Sequence, residues 1–472
     1  MKKRKISLWL NIVTICLSVC AIAIGVYSIK NANLSIGGSL GFVSHSAKVN
    51  IVAHMYGYST SSSGEIPITE ANKTQLTADG GLDIDGETGV INILSTKGSG
   101  SESRYFSDAS GDLEPIRIVL TITNNSDFEV LMDADVTVPE SSKCDFVCDN
   151  ALQVLYTTNE GTKSKTATLT YILFPKIVDA KYTEIAAPEK VAFLISFSKL
   201  NTQISSKGFT FDNATNPTKI YGVPASDGTS DVLVIPSTFT DLPGKTITEI
   251  ATSDGLPTTA IDTTNFKKLV ILDGIKTIKW GSFFKSNTAN VGKLEKVALP
   301  NTIETLGGNE TFSGHSIVSL PIPSSVKNFD SGSPISGTNV RYVKIPSSIS
   351  TTPTINFYNK LIFAEIEEGV KEIGGHGFYN TLIPSIVIPQ GVTHLAGGAF
   401  GNCANLTKIT LPNSLTNLWD EVFSGSTNLH TIIYKGTMAQ WNAIDKAQTS
   451  EHEWDRGMNG YTIFCTDGNI VN

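Results

Sequence analysis

A short motif that recurs at nearly constant spacing constrains the fold of this chain more than any other feature. Each copy has an aliphatic residue, usually followed by Pro, then two residues and a second aliphatic residue; the copies begin at Ile271, Leu299, Ile322, Ile345, Ile366, Ile388, Leu411 and, in degenerate form, Tyr434. Successive copies start 28, 23, 23, 21, 22, 23 and 23 residues apart. This period is typical of a solenoid, in which each repeat forms one turn of a coil. Because a solenoid presents an extended surface, binding is the first function to expect.

Each repeat also predicts its own local structure. The alternation before the motif, as in Val297-Ala-Leu299, predicts a short strand with one buried face. The Pro that follows has no N–H and a fixed φ, so it ends the strand and turns the chain. Later in the repeat comes an aromatic residue, and these are Phe312, Phe378, Phe400 and Phe423. One repeat buries too little apolar surface to offset its loss of backbone entropy, so only stacked repeats fold.

Residues 388–412 closely resemble the BspA-like class of leucine-rich repeats found in bacterial surface proteins. The stretches 433–444 and 461–468 look like the C-terminal cap of such arrays, and residues 208–250 resemble the N-terminal entry. The resemblance implies a solenoid of short parallel strands at the cell surface, often adhesive, with no shared enzymatic site. A 36-residue gap between Ile235 and Ile271, and weak repeats between residues 324 and 357, leave the number of turns open.

The N-terminus predicts export from the cytosol. A basic leader, Met1 to Lys5, precedes Leu8 to Ile29, which has no ionisable side chain apart from two Cys and one Tyr. As a helix this segment would be about 33 Å long, enough to cross a hydrocarbon core of about 30 Å. Basic residues before it favour a cytoplasmic N-terminus. Two interpretations stay open: an uncleaved membrane anchor, or a signal peptide cleaved at Ala21-Ile-Ala23.

Between leader and repeats the sequence predicts an antiparallel β-sandwich. Alternating runs occur at residues 117–123, 130–138, 167–174 and 191–198, separated by turn-rich segments. The expected domains are thus residues 1–30 as signal anchor or signal peptide, 31–205 as sandwich, and 206–472 as solenoid with a C-terminal cap. The fold class is mainly β. The polar stretch 59–110 is expected to be a loop-rich insertion.

Charge and motifs exclude several functions. Without the four basic residues of the leader, 32 Lys and Arg stand against 44 Asp and Glu, a net charge of −12. This balance argues against nucleic acid or an anionic membrane surface as a partner. No catalytic, metal-binding or nucleotide-binding motif occurs, so we expect no enzyme activity, cofactor or metal. Cys144 and Cys148 could form a disulfide in an oxidising compartment, whereas Cys403 and Cys465 are expected to be buried thiols.

The strands of the solenoid suggest where a ligand would bind. Alternation leaves two columns of residues that are expected to face outward: Lys268, Lys296, Ser319, Tyr342, Phe363, Ser385, Lys408 and Thr431, and Val270, Ala298, Pro321, Lys344, Glu365, Val387, Thr410 and Ile433. Tyr342 and Phe363 fall on adjacent repeats beside Lys344 and Glu365, and exposed aromatic residues often anchor an interface. These four residues are the candidate ligand-binding site. The alternative is that Tyr342 and Phe363 only stabilise the sheet by packing against each other.

Three functions remain compatible with the sequence. The first is a non-catalytic surface protein that binds an extracellular protein or glycan, either anchored in the membrane or secreted. The second is a structural component of the envelope or of a matrix fibre, which assembles through its β-sandwich. The third, an enzyme or regulator with a site in residues 59–110, has the least support. Self-assembly is left open.

Overall fold

The chain divides into two compact units, Met1–Lys176 with Tyr182–Asn201, and Ile177–Lys181 with Thr202–Asn472. The computed structural model describes residues 26–36, 41–57, 74–75, 91–93, 116–137, 142, 144–178, 181–182, 189–253, 260–284, 294–308, 311–330, 332–334, 338–352, 360–447, 453–458 and 460–471. Most of the predicted insertion, 59–110, lies outside these residues, as do Met1 to Gly25.

Among the described residues, the first unit is an antiparallel β-sheet in the order β7-β9-β5-β2-β1-β12-β6-β8, with β3 paired to β2 and β4 to β12. Its strands are β1 (Val26–Ile36), β2 (Gly41–Gly57), β3 (Thr74–Gln75), β4 (Ile91–Ile93), β5 (Ile116–Asn124), β6 (Val130–Thr137), β7 (Cys144–Asp149), β8 (Leu152–Leu155), β9 (Thr166–Pro175) and β12 (Glu189–Lys199). A separate pair consists of β10 (Ile177–Val178) and β11 (Lys181–Tyr182).

The four runs predicted as strands correspond to β5, β6, β9 and β12. Alternate residues in these strands are buried, among them Leu120, Ile122, Met132, Ala134, Leu169, Tyr171, Ile195 and Phe197. The antiparallel strands are therefore confirmed, and their arrangement as a two-layered sandwich stays a prediction. Asn124 is the last residue of β5 and links the end of this strand to neighbouring segments. Its side-chain amide donates to the carbonyl oxygens of Phe128, Leu155 and Tyr156 at 2.9–3.2 Å.

The predicted N-terminal helix does not extend to Ile29. Val26 to Ile29 begin β1, which lies between β2 and β12 and pairs with both. An apolar run that supplies a central strand satisfies its backbone groups within the sheet, and these residues cannot be helical at the same time. Residues 8–25 of the predicted helix lie outside the described residues. No helix in the described part of the chain combines the length and hydrophobicity needed to cross a membrane.

The second unit is a solenoid in which most repeats contribute two short parallel strands, one on each of two faces. The first sheet face contains β15 (Val232–Ile235), β17 (Lys268–Ile271), β19 (Lys296–Ala298), β22 (Tyr342–Ile345), β23 (Phe363–Ile366), β25 (Ser385–Val387), β27 (Lys408–Leu411), β29 (Thr431–Tyr434), β31 (Thr462–Cys465) and the antiparallel β32 (Gly468–Val471). The second sheet face contains β13 (Thr210–Phe211), β14 (Lys219–Gly222), β16 (Glu249–Ile250), β18 (Thr277–Ile278), β20 (Thr305–Gly307), β21 (Asn328–Asp330), β24 (Glu372–Ile373), β26 (His394–Leu395), β28 (Asn417–Leu418) and β30 (Asp445–Lys446).

Both faces keep a strict register from one repeat to the next. Ser385, Lys408 and Thr431 are aligned on the first sheet face, and His394, Asn417 and Asp445 on the second. The long gap in the sequence does not interrupt the solenoid, because β15 pairs in parallel with β17. In the weak repeats the paired strands give way to isolated β-bridges: Ser319 with Tyr342 between β19 and β22 on the first sheet face, and Thr351 with Glu372 between β21 and β24 on the second.

Hydroxyl side chains in the corner between the two faces link successive repeats. The third residue after the first aliphatic residue of the motif is often Ser or Thr, and its hydroxyl donates to a backbone carbonyl of the preceding repeat. The bonds are Thr302 to Ile275, Ser325 to Ile303, Ser348 to Val326 and Ser414 to Val392, at 2.6–2.7 Å. Where this residue is Gly274, Gly369 or Gly391, φ is positive, at 103°, 124° and 98°. The corner thus uses either a hydroxyl that links repeats or the conformational freedom of Gly.

Aromatic rings form stacks inside the solenoid. Phe283 stacks on Phe312 with ring centroids 5.6 Å apart, and Phe400 lies between Phe378 at 5.3 Å and Phe423 at 5.9 Å. The four Phe residues predicted from the repeat are fully buried.

The predicted C-terminal cap covers the open end of this core. Its helix, α1 (Met438–Ala443), begins with a capping box formed by Thr437 and Gln440. Trp441 and Trp454 pack edge to face at 5.7 Å, and Trp454 also contacts Phe423 at 6.0 Å. Large aromatic residues therefore cover the end of the phenylalanine stack.

His315 holds two neighbouring segments together within the core. Its ring is buried, the Leu294 backbone N–H donates to Nδ1 at 2.9 Å, and Nε2 lies 2.6 Å from the Phe283 carbonyl oxygen. Since Nδ1 accepts a hydrogen bond, Nε2 must carry the proton and donate, and the imidazole is neutral. No motif or spacing around His315 predicted this role.

Candidate functional site

The candidate site predicted from the sequence lies on β22 and β23. These strands are parallel neighbours, with Tyr342 aligned with Phe363 and Lys344 with Glu365. Because side chains alternate along a strand, Tyr342 and Lys344 lie on the opposite side of β22 from the core residue Val343. The structure therefore brings the four predicted residues together.

Tyr342 is not exposed as expected. Its side chain is only 2% exposed. Its ring stacks on Phe363, with centroids 5.9 Å apart and planes 14° apart, and its hydroxyl donates to Glu365 Oε2 at 3.2 Å. On the other side, Ser319 forms a β-bridge with Tyr342. Strand neighbours only about 4.8 Å apart cover much of each other's surface, so Phe363, which is half-buried, is the more accessible ring.

The other predicted outward residues differ widely in exposure. Val387 is exposed, and Lys268, Lys296, Ser385 and Thr431 are half-buried. Five more are buried: Val270, Ala298, Ser319, Lys408 and Thr410. The expectation of two uniformly exposed columns is therefore wrong, because alternation determines which side of a strand a residue occupies but not what packs over that side.

The charges at the site are arranged differently from the prediction. Lys344 Nζ lies 2.8 Å from Oε1 of Glu367, and the Ser347 backbone N–H donates to Oε2 of the same residue at 3.0 Å. Partial burial acts to raise the pKa of Glu367, but the hydrogen bonds from Lys344 and Ser347 outweigh it and lower the pKa below its usual value. Glu367 was not predicted, because it lies at the position that Pro occupies in most copies of the motif and not within the strand. The absence of Pro from this copy is a signal that could have identified it.

The cysteines do not form the disulfide considered for residues 144 and 148. Both belong to β7, and four residues along a strand span about 13 Å, well beyond the reach of a disulfide. Cys148 is a reduced cysteine. Cys403 is a buried thiol, as predicted, and its Sγ donates to the Phe378 carbonyl oxygen at 3.0 Å, while burial raises its pKa. Cys465 is also free but only half-buried.

Within the described ranges, no group of three or more His, Cys, Asp or Glu residues is placed to hold a metal ion. The chemistry available at the candidate site is therefore that of an aromatic ring flanked by a Lys–Glu pair and a carboxylate. Such a set can bind a partner through packing and hydrogen bonds.

The two-faced coil of short parallel strands is a leucine-rich-repeat solenoid. The sequence model for the BspA type Leucine rich repeat region matches residues 256–364 and 336–444, with six copies. Residues 256–444 therefore form a BspA type Leucine rich repeat region, as the resemblance of the motifs predicted. The match indicates no enzyme family.

Solved structures with similarity to the chain come from bacteria. A leucine rich cell surface protein of Faecalibacterium prausnitzii is 15% identical, and the match covers 53% of this chain and 99% of that protein, with a TM-score of 0.20. A leucine-rich repeat protein of Bacteroides ovatus is 15% identical over 50% and 70% of the two chains, with a TM-score of 0.27. The pneumococcal vaccine antigen PcpA is 13% identical over 52% and 90%, with a TM-score of 0.21. At these scores the similarities carry no argument about function. A search of curated proteins gave no significant match.

Proposed function

We propose that this protein is a non-catalytic surface protein whose solenoid binds an extracellular protein or glycan. The observation that carries the proposal is the stacked BspA-type repeat region, which presents a long, regular surface and matches no enzyme family. The inward side chains of each repeat form the core. Binding by such a surface therefore depends on the outward side chains.

The anchor of the proposed site is Phe363, with Tyr342 as its support. Stacking on Tyr342 fixes the ring of Phe363, and the Tyr342 hydroxyl holds Glu365 in place. A preorganised aromatic side chain loses little conformational entropy on binding. Lys344, whose side chain is 43% exposed, supplies a charge at the rim of the site. The ligand would therefore cover Phe363 and contact the polar groups around it.

We further propose an extracellular position for both units, with residues 1–25 as the export segment, 26–205 as a spacer and 206–472 as the recognition module. The basic leader and the apolar run support export. The position of β1 in the middle of its sheet favours an apolar export segment that ends by Gly25, whether it is cleaved or retained as an anchor.

The test is binding of the purified full chain to an array of extracellular-matrix proteins and glycans. The variant Phe363→Ser should weaken a saturable signal roughly 30-fold or more, as expected for the loss of a central anchor. Val387→Ser, which changes an exposed residue of the same sheet face, is the matched control. Circular dichroism verifies that both variants fold.

Equal signals from the wild type and Phe363→Ser would reject this site while retaining binding. A chain that bound nothing on the array but formed salt-resistant assemblies would instead favour the structural role.

A further inference from the structure

Trp419 is an exposed tryptophan on the second sheet face, away from the candidate site. It follows β28 directly, and its side chain is 52% exposed, whereas Trp441 and Trp454 are buried in the cap. Its backbone N–H donates to the Leu395 carbonyl oxygen at 3.0 Å, so the main chain is fixed by the repeat. Among the described residues, none accepts a hydrogen bond from the indole N–H of Trp419. A large ring with a polar N–H in an exposed position is well suited to contact a ligand through both its face and its donor group.

Small residues occupy the positions in register with Trp419 in the two preceding repeats: Gly374 and Ala396 are buried, and Gly375 and Gly397, one residue further on, are half-buried. The fold does not require Gly375: its φ is not positive, and an added Cβ would meet nothing closer than the Gly397 carbonyl oxygen at 3.5 Å. This floor spans two strand spacings, about 9–10 Å, between the repeat of Gly375 and that of Trp419. One pyranose ring fits that width.

Polar side chains line the same stretch of the second sheet face. His394, Asn417 and Asp445 are aligned on β26, β28 and β30, and Asn417 lies two residues before Trp419. The Asn417 amide donates to Asp445 Oδ2 at 3.3 Å, and His394 Nδ1 interacts with the Thr393 hydroxyl at 2.7 Å. The amide of Asn417 belongs to a residue about 6–7 Å along the strand from Trp419, and the His394 imidazole and the Asp445 carboxylate lie one strand spacing to either side of it.

We infer that Trp419, the glycine floor and the Asn417–Asp445 pair form a second binding site, specific for a neutral hexopyranose unit of a glycan. The indole would stack on the C–H face of the sugar ring, and Asn417 and Asp445 would hydrogen-bond adjacent hydroxyl groups. The carboxylates of Asp420 and Asp445 disfavour anionic sugars by charge repulsion. This site is independent of the one proposed at Phe363, which lies on the first sheet face.

The experiment uses the full chain labelled with 5-fluorotryptophan, whose five tryptophans give five ¹⁹F resonances. Trp419→Phe identifies the resonance of residue 419. The probes are neutral oligosaccharides with glucose, galactose, mannose or N-acetylglucosamine units, together with sialyllactose and tetramethylammonium. We expect a saturable shift of the Trp419 resonance alone with at least one neutral oligosaccharide, and a much smaller effect of sialyllactose.

Calorimetry with that oligosaccharide then measures the contributions of single residues. Trp419→Ala should raise Kd at least about tenfold through the loss of stacking. Gly375→Ala, which the backbone tolerates, should also weaken binding because its methyl group fills the floor. Phe464→Ala, at an exposed aromatic residue of the first sheet face, is the matched control and should leave Kd unchanged.

Three results would overturn the inference. The first is a Trp419 resonance that no neutral oligosaccharide shifts. The second is a shift with tetramethylammonium but not with sugars, which would indicate a cation site. The third is an equal loss of affinity in Phe464→Ala and Trp419→Ala, which would place the sugar elsewhere.

Discussion

Truncation of Phe400 tests whether the aromatic stack stabilises the solenoid. Its ring is fully buried between Phe378 and Phe423, with centroids 5.3 and 5.9 Å away. Replacing a buried Phe by Ala costs about 3–5 kcal/mol. Each ring contact contributes about 0.5–1.5 kcal/mol beyond its buried area, so Phe400→Ala should lie in the upper half of that range. Since domains are typically stable by about 5–15 kcal/mol, the loss is a large fraction of the total.

The assay is urea unfolding combined with hydrogen exchange. Phe400→Ala should lower the urea midpoint, and the amides of the repeats that contain Phe378 and Phe423 should lose protection before those around Ile271. This order follows because each repeat contacts only its neighbours. The control Phe464→Ala, at a residue 40% exposed, should change stability by no more than about 0.5 kcal/mol. A cost below about 1 kcal/mol for Phe400→Ala, or a uniform loss of protection, would refute the reasoning.

Three further predictions concern other contacts. His315→Ala leaves two buried backbone groups without their partner and should cost about 1–3 kcal/mol for each group; an unchanged urea midpoint would contradict the bridging role. Ser348→Ala removes one hydroxyl link between repeats and should cost about 1 kcal/mol, whereas Ser347→Ala, at the exposed neighbour, should cost little by the same measurement. Glu367 has a lowered pKa in the folded chain, so the stability it contributes is complete above the ordinary Glu pKa and is lost as pH falls through the lowered value. Acid titration of stability should therefore be flatter in Glu367→Gln, and identical curves would show that the pair with Lys344 contributes nothing.

The sequence predicted the solenoid well because its period determines the core. Phe378, Phe400 and Phe423 recur at the same place in each repeat, and a residue that recurs at every turn of a coil faces the same side each time. The hydroxyl links were missed although a signal existed. One position of the motif is occupied either by Ser or Thr or by Gly, as in Ser414 and Gly391. This restricted choice indicates a position at which the side chain or the backbone conformation has a structural role.

Features that depend on neighbours outside the repeat could not be predicted. Tyr342 occupies the predicted side of its strand, but Ser319 and Phe363 cover it from either side. The hydrophobicity of the apolar run that ends at Ile29 is compatible with both a helix and a strand, and the pairing of Val26 to Ile29 with β2 decides for the strand. The ion pair of Glu367 with Lys344 joins side chains of adjacent repeats, and the repeat period alone does not show which of the nearby charges are in contact.

The separation of core and surface in a solenoid has a measurable consequence for its two proposed sites. Phe363 and Trp419 lie on different sheet faces in different repeats, and the described contacts give them no common partner. Their effects on stability should therefore add within about 0.3–0.5 kcal/mol in the double variant Phe363→Ser/Trp419→Ala. Each substitution should also leave the ligand of the other site unaffected. A coupling above about 1 kcal/mol would mean that the two faces respond as one body through the core. In that case a change on one face would alter recognition on the other, and the two sites would not be independent.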